Sequence, residues 1–264
     1  MFVFANKIII KTCGSTTLLL ALEALLQIAS KCDLTEVDYL FYSRKNFLEP
    51  EQQLFPHRGF EEEFSLLEHL FPEGHAYTLG QVNGDHWNIF ILENEDAVQK
   101  DHDQTFEILM HDLDPEAAKI FYRDESFVSS RNTTIKSRIS ELLPGAILDD
   151  LVFNPCGYSI NAILGPYYFT IHVTPQQEFS YASFETNYPF DSTQLDETTK
   201  KVLSIFRPGR FTVTFLASSI KNNVPTVFEK SKSSHAFKRT FKRMATSAYD
   251  FQQYHLRYAH FNSH

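Results

Sequence analysis

Between Ala146 and Phe184 four strand-like segments follow one another: Ala146–Phe153, Tyr158–Ala162, Tyr167–Thr174 and Glu178–Phe184. The segments joining them are only a few residues long. A parallel pair of strands needs a crossover of a dozen or more residues, usually a helix, whereas antiparallel neighbours are joined by a tight turn. This stretch therefore calls for antiparallel pairing. Asn83-Gly84, between the strand-like runs Ala76–Val82 and His86–Leu92, adds a hairpin signal of the same kind. Further strands are expected over Met1–Lys11, Asp38–Ser43, Phe211–Ser218 and Tyr249–Phe261.

Helical patterns are fewer. After Ser15, Thr16 and Thr17, which offer N-caps, Leu18, Leu22, Leu25, Leu26 and Ala29 fall on one helical face. Phe60–Phe71 reads as a helix stopped by Pro72 and Gly74, and Asp191–Phe206 as one stopped by Pro208-Gly209. Gln104–Leu113 and Asp114–Tyr122 also read as helical. Strands outnumber helices and hairpins are short, so an antiparallel α+β fold is expected rather than a doubly wound parallel sheet. A weak internal echo accompanies this pattern. Leu70-Phe71-Pro72-Glu73-Gly74 and Ile205-Phe206-Arg207-Pro208-Gly209 each end a helix and lead into a strand, about half a chain apart. Either strand–helix–strand units are duplicated, or Pro-Gly stops two helices independently.

Composition narrows the function classes. Hydrophobic residues at 43% and charged residues at 22% are those of a globular protein, which excludes disorder as the main state. Twenty-five Phe and 12 Tyr against 9 Gly call for an aromatic-rich core. With 24 Lys and Arg against 33 Asp and Glu the net charge is −9. That sign argues against a nucleic-acid partner and permits a cationic ligand. Cys13, Cys32 and Cys156 are odd in number and lack CxxC spacing, so neither a disulfide framework nor a cysteine zinc site is expected. His occurs 11 times without a spaced pair on a helix, so no metal site is expected. The longest apolar run, Leu18–Leu22, is far short of a membrane span, and Met1–Thr12 lacks a signal-peptide layout, so no membrane partner is expected and the cytosol is the default compartment. Lys230, Lys232, Lys238, Arg239, Lys242 and Arg243, without an acid among them, read as a solvated linker.

Two turn-like clusters bear chemistry. Lys11-Thr12-Cys13-Gly14-Ser15-Thr16-Thr17 stands at a strand-to-helix junction, where amide N–H groups lower a thiol's pKa. Cys13 there serves either as a proton donor or nucleophile, or as a small buried thiol. Ser159, in Phe153-Asn154-Pro155-Cys156-Gly157-Tyr158-Ser159-Ile160-Asn161, and His172, in Thr170-Ile171-His172-Val173-Thr174-Pro175, fall on neighbouring predicted strands. Antiparallel pairing brings hydroxyl and imidazole together, for acid–base work or as a structural hydrogen bond.

These motifs, with Phe41-Tyr42-Ser43-Arg44-Lys45-Asn46-Phe47, Pro56-His57-Arg58, Asp103-Gln104-Thr105, Glu107-Ile108-Leu109-Met110, Glu178-Phe179-Ser180-Tyr181 and Ser183-Phe184-Glu185-Thr186-Asn187, resemble eukaryotic S-adenosylmethionine decarboxylase from Met1 to about Ser218. The resemblance implies a pyruvoyl enzyme of spermidine and spermine synthesis. It implies an αββα sandwich of two antiparallel sheets flanked by helices, with two similar halves, here as one domain over residues 1–264. In that family a proenzyme cuts itself at a Glu-Ser bond, and the Ser becomes a pyruvoyl group. Its carbonyl forms a Schiff base with the amine of S-adenosylmethionine and acts as electron sink for decarboxylation.

By motif match Cys13 resembles the proton donor, and Ser159 and His172 the pair that supports self-cleavage. Phe153 resembles a ring stacked on adenine. Gln176 stands where the family has a Glu that holds the ribose hydroxyls. Asp103, Thr105, Glu107 and Glu185 correspond to an acidic pocket for putrescine, a possible activator, with Lys11 linking it toward the catalytic end. On a helix, Asp103 and Glu107 at i and i+4 share a face and repel, which a diamine dication relieves. The resemblance also places the cleavage motif before the residue matching Met1, so the chain is expected to be truncated at its N-terminus, to lack the pyruvoyl-forming Ser and to be inactive alone. A homodimer or a dimer with a full-length paralogue is the expected assembly. The alternative function is a catalytically inactive paralogue or fragment that regulates or dimerises with the active enzyme.

Overall fold

The computed structural model describes residues 1–12, 15–47, 49–94, 103–123, 130–218, 224–228 and 241–264. Cys13 and most of the basic stretch lie outside the described residues. The chain forms two compact units, Met1–Val98 and Gln99–His264.

In the first unit β1 (Phe2–Val3) and β2 (Ile8–Ile9) make a small antiparallel pair. The single strand expected over Met1–Lys11 is thus folded back on itself, with Phe4 N–H donating to Lys7 O across the turn (2.8 Å). A 3₁₀ turn over Leu18–Ala21 runs into α1 (Leu22–Ser30), so the expected amphipathic helix is present with a tighter first turn. There follow β3 (Tyr39–Lys45), α2 (Phe60–Leu70), β4 (His75–Gly80) and β5 (His86–Glu93), the strands ordered β3-β5-β4 and all antiparallel. Leu19, Tyr42, Leu67, Phe71, Phe90 and Leu92 form the core of this unit. The Asn83-Gly84 hairpin is real but longer than a two-residue turn. Strand β4 already ends at Gly80, whose φ of +98° suits glycine, and Gly84 N–H donates to Gln81 O (2.9 Å) to close the loop.

A buried ionic cluster ties α2 to β3. The Glu63 side chain is fully buried and accepts from Tyr42 OH (2.9 Å) and Arg44 Nε (2.6 Å), with His57 Nδ1 at 2.7 Å. The Arg44 guanidinium also lies over the Phe47 ring, 4.5 Å from its centroid. Burial, then the Glu63 charge, pushes the Tyr42 phenol far above its ordinary pKa. Gly74, just before β4, is needed for close approach: a Cβ there would fall 2.2 Å from Cζ of Phe90.

In the second unit the elements are β6 (Gln104–Leu113), α3 (Pro115–Ala118), α4 (Ser130–Lys136), β7 (Ile147–Val152), β8 (Tyr158–Leu164), β9 (Tyr167–Thr174), β10 (Tyr181–Thr186), α5 (Ser192–Phe206), β11 (Pro208–Ala217), β12 (Phe241–Asp250) and β13 (His255–Ser263). One antiparallel sheet holds all eight strands in the order β12-β13-β11-β6-β10-β9-β8-β7. The helix expected over Gln104–Leu113 is therefore a strand, and a central one. Phe106, Leu109, Met110 and Leu113 have helical spacing, but Phe106, Ile108 and Met110 also alternate, and both faces of β6 are buried. Tertiary pairing decides a pattern that fits both periods. The helix expected over Asp114–Tyr122 is present as α3, capped by Asp114 and continued by a 3₁₀ turn. The last strand expected over Tyr249–Phe261 is instead a hairpin, β12 and β13, turned at 251–254 where Phe251 N–H donates to Tyr254 O.

Helix α5 begins with a capping box in which Asp191 accepts from Gln194 N–H and Gln194 accepts from Asp191 N–H. It ends at Arg207, and Pro208 opens β11. The repeated helix–Pro–strand passage thus occurs once in each unit, α2 to β4 and α5 to β11. The core includes Phe106, Ile108, Met110, Ile160, Ile171, Phe184, Phe211 and Val213 from the sheet and Leu195, Val202 and Phe206 from α5. It is aromatic-rich as expected: Phe121 stacks on Phe206 and Phe211 on Phe261. The architecture is α+β, with antiparallel sheets and flanking helices. Among the described residues no helix is long and apolar enough to cross a membrane.

Candidate active site

Alternate residues of a strand face opposite sides of its sheet. Since Phe106, Ile108 and Met110 turn to the core, Thr105, Glu107, Leu109 and His111 turn the other way. The register carries this alternation across the eight strands and lays polar side chains in rows on that second face.

One row runs Ser159, His172, Ser183, Leu109, Thr212, His260, each the register partner of the next. Ser159 Oγ lies 3.1 Å from His172 Nδ1, so the pairing expected from sequence is made. Thr212 Oγ1 lies 2.9 Å from His260 Nδ1. Ser183 Oγ is fully buried and has no hydrogen-bond partner among the described residues.

The adjacent row runs Asn161, Thr170, Glu185, Glu107, Thr214, Tyr258. Glu185 accepts from Tyr168 OH (2.6 Å), and Thr170 Oγ1 donates to Asn161 Oδ1 (2.9 Å). Burial pushes the Tyr168 phenol well above its ordinary pKa, and the charges of Glu185, Glu107 and Asp103 push in the same direction. All three carboxylates of the expected acidic pocket therefore lie within electrostatic reach of one phenol. Asp103 just precedes β6, where its carboxylate accepts from Tyr254 OH (2.8 Å). Thr105, two residues on, is half-buried. The acids gather by strand pairing, not by the i, i+4 helical spacing expected of Asp103 and Glu107.

Phe153 and Gln176 stand at the sheet end nearest Ser159 and His172. Phe153 follows β7 and is 47% exposed, its N–H donating to Gly157 O (2.9 Å). Gly157 has φ +114°, and a Cβ there would meet the Phe153 ring at 3.3 Å. Gln176 follows β9 and accepts through its main-chain oxygen from Phe179 N–H. Lys11 follows β2 in the first unit. Cys13 falls outside the described residues.

Sequence reasoning did not single out Asn161, Tyr168, Thr170 or Ser183 as site members. The signal for three of them is a polar pair at i and i+2 within otherwise apolar strands: Ser159 with Asn161, Thr170 with His172, Ser183 with Glu185.

Known proteins resemble this chain along its length. The profile of the family described as adenosylmethionine decarboxylase matches residues 1–262. An S-adenosylmethionine decarboxylase proenzyme of Dictyostelium discoideum is 40% identical over 248 residues, covering 90% of this chain and 64% of that protein. One of Drosophila melanogaster is 39% identical over 279 residues, covering 99% of this chain and 78% of that protein. This chain thus spans less than two thirds of the first relative. The solved Trypanosoma brucei AdoMetDC-delta26 monomer superposes with a TM-score of 0.73 at 25% identity, covering 100% of this chain and 98% of that one.

Proposed function

Because the chain belongs to the adenosylmethionine decarboxylase family, we propose that it removes the carboxyl group of S-adenosylmethionine and that the polar face of its eight-stranded sheet bears the reaction. The hydrogen bond between Ser159 and His172, made on adjacent strands in unbroken register, is the observation that carries this reading.

The family is pyruvoyl-dependent, and that group supplies an electrophilic carbonyl that draws electrons from the breaking bond to the carboxylate. The residues present suit it: the Ser183 hydroxyl, buried beside His172 in register, is a donor for a carbonyl oxygen. His172 and Ser159 hold and move a proton between Nδ1 and Oγ, which fits a part in self-cleavage. The half-exposed Phe153 ring offers an apolar face to adenine. Gln176 hydrogen-bonds ribose hydroxyls through a neutral amide rather than a carboxylate. Cys13 takes the role of proton donor on the strength of its motif. Asp103, Thr105, Glu107 and Glu185 hold putrescine, whose two ammonium groups match the carboxylates. A dimer, with itself or with a paralogue, belongs to the same reading.

The test is release of labelled CO₂ from carboxyl-labelled S-adenosylmethionine by the natural protein purified from its source cells, with and without putrescine. Turnover that falls about 10²–10⁴-fold in Cys13→Ala is the expected result. Absence of CO₂ release from the natural protein would overturn the assignment.

A further inference from the structure

Ser159, His172, Thr170 and Asn161 occupy two adjacent register pairs on one face of β8 and β9, Ser159 opposite His172 and Asn161 opposite Thr170. We propose that Thr170 and Asn161 are positioning residues that fix the tautomer of His172, so that Nδ1 presents a lone pair to the Ser159 hydroxyl. This rests on the reading above that the Ser159–His172 pair handles a proton.

The argument is one of donor capacity. A threonine hydroxyl has a single hydrogen, and an amide oxygen only accepts. Thr170 Oγ1 lies 2.9 Å from Asn161 Oδ1, so its hydrogen points there. The same Oγ1 lies 3.3 Å from His172 Nε2. With its hydrogen already engaged, Oγ1 meets Nε2 as an acceptor, and Nε2 carries the ring's hydrogen. A neutral imidazole has one N–H, so Nδ1, at 3.1 Å from Ser159 Oγ, is left to accept. The order of donation is Ser159 to His172, His172 to Thr170, Thr170 to Asn161.

The consequence for proton movement is specific. A proton leaving Ser159 Oγ arrives at Nδ1, while the other ring hydrogen stays on Nε2, donated to Thr170 Oγ1. The imidazolium so formed keeps both of its N–H groups hydrogen-bonded, one to Ser159 and one to Thr170. Without the Thr170 hydroxyl, the ring is free to place its hydrogen on Nδ1, where it cannot take a proton from Ser159.

The experiment is two-bond ¹H–¹⁵N correlation on the full chain with ¹⁵N-labelled histidine, at a pH where the ring is neutral. The His172 signals are those lost in His172→Gln. The wild type is expected to show the Nε2–H pattern, and Thr170→Val, of similar shape without the hydroxyl, to lose it. Thr170→Ser and Asn161→Asp, which keep the hydroxyl and the acceptor, should retain it. An Nδ1–H pattern in the wild type, or an unchanged pattern in a folded Thr170→Val, would overturn the proposal. Since this readout needs no turnover, failure of CO₂ release by the natural protein, together with the expected tautomer, counts against the decarboxylase reading alone. CO₂ release with the opposite tautomer counts against the relay alone.

Discussion

Glu107 and Glu185 stand directly opposite each other on neighbouring antiparallel strands, β6 and β10. Side chains so placed have Cβ atoms about 4.5–5.5 Å apart, and like charges there destabilise the pair by roughly 0.2–1 kcal/mol. On the proposed reading, a dication bound at this pair adds favourable contacts to both carboxylates. Putrescine at about 100 times its Kd should therefore stabilise the protein by about 2.7 kcal/mol. That corresponds to a rise in Tm of roughly 5–10 °C for a domain of this size. Glu185→Gln keeps an acceptor for Tyr168 and should lose most of the rise. An equal rise in wild type and variant by thermal scanning would remove Glu185 from the diamine site.

Alkaline titration gives a second prediction. Tyr42, Tyr158 and Tyr168 all have phenol pKa values raised in the folded protein, in each case first by burial. In the unfolded chain a phenol titrates near pH 10. The stability they contribute is thus fully present below about pH 10 and is lost as pH rises toward the folded values, because the unfolded state gives up its protons first. Phenolate absorbance should show an early phase from exposed tyrosines and a late one coincident with unfolding. Tyr168→Phe should shrink the late phase by one tyrosine. Full ionisation of the wild type before unfolding would contradict this.

Glu63 anchors the buried cluster of the first unit. Replacing it by Ala leaves Arg44 and His57 without their shared carboxylate, and breaking such a pair from one side costs about 3–5 kcal/mol. Urea denaturation should show a loss of that order for Glu63→Ala and a much smaller one for Arg58→Ala, whose partner Glu62 is on the surface. Equal losses would show that the Glu63 network adds little.

Gly74→Ala tests the close approach to Phe90. The added methyl meets a ring that is 1% exposed within the core, and overpacking of that kind costs about 1–3 kcal/mol. Shortening the ring by Phe90→Leu should make the second change less damaging than it is alone. Additive losses in the double-mutant cycle would show that the backbone at 74, not the ring, sets the limit.

Strands β7 to β10 were legible because each alternates or runs apolar over a short length between turns, and their pairing put Ser159 beside His172 as expected. Strand β6 was not legible. Its Phe106, Leu109, Met110 and Leu113 satisfy a helical period as well as a strand's, and burial of both faces erased the polar side that normally arbitrates. The i, i+4 helical spacing expected of Asp103 and Glu107 therefore gave way to strand pairing, with Glu107 opposite Glu185. The split of Tyr249–Phe261 into a hairpin was missed because Gln252-Gln253 carries none of the Gly, Pro or Asn chemistry that marks a turn. Tyr168 was hidden because an aromatic residue in a strand reads as core until the register shows which face it takes.

Strand β6 comes first in the second unit yet lies between β10 and β11, with four strands on one side and three on the other. Neither neighbour is adjacent to it in sequence, so no local hairpin guides it into place. The meander β7–β10 can zip up by itself, but it then holds Glu185 without Glu107. A one-residue slip of β6 would bury Glu107 among Ile171 and Phe184 and turn Ile108 out among the acids. The pairing of Glu107 with Glu185 consequently reports on assembly: it exists only when the central strand is seated in the correct frame.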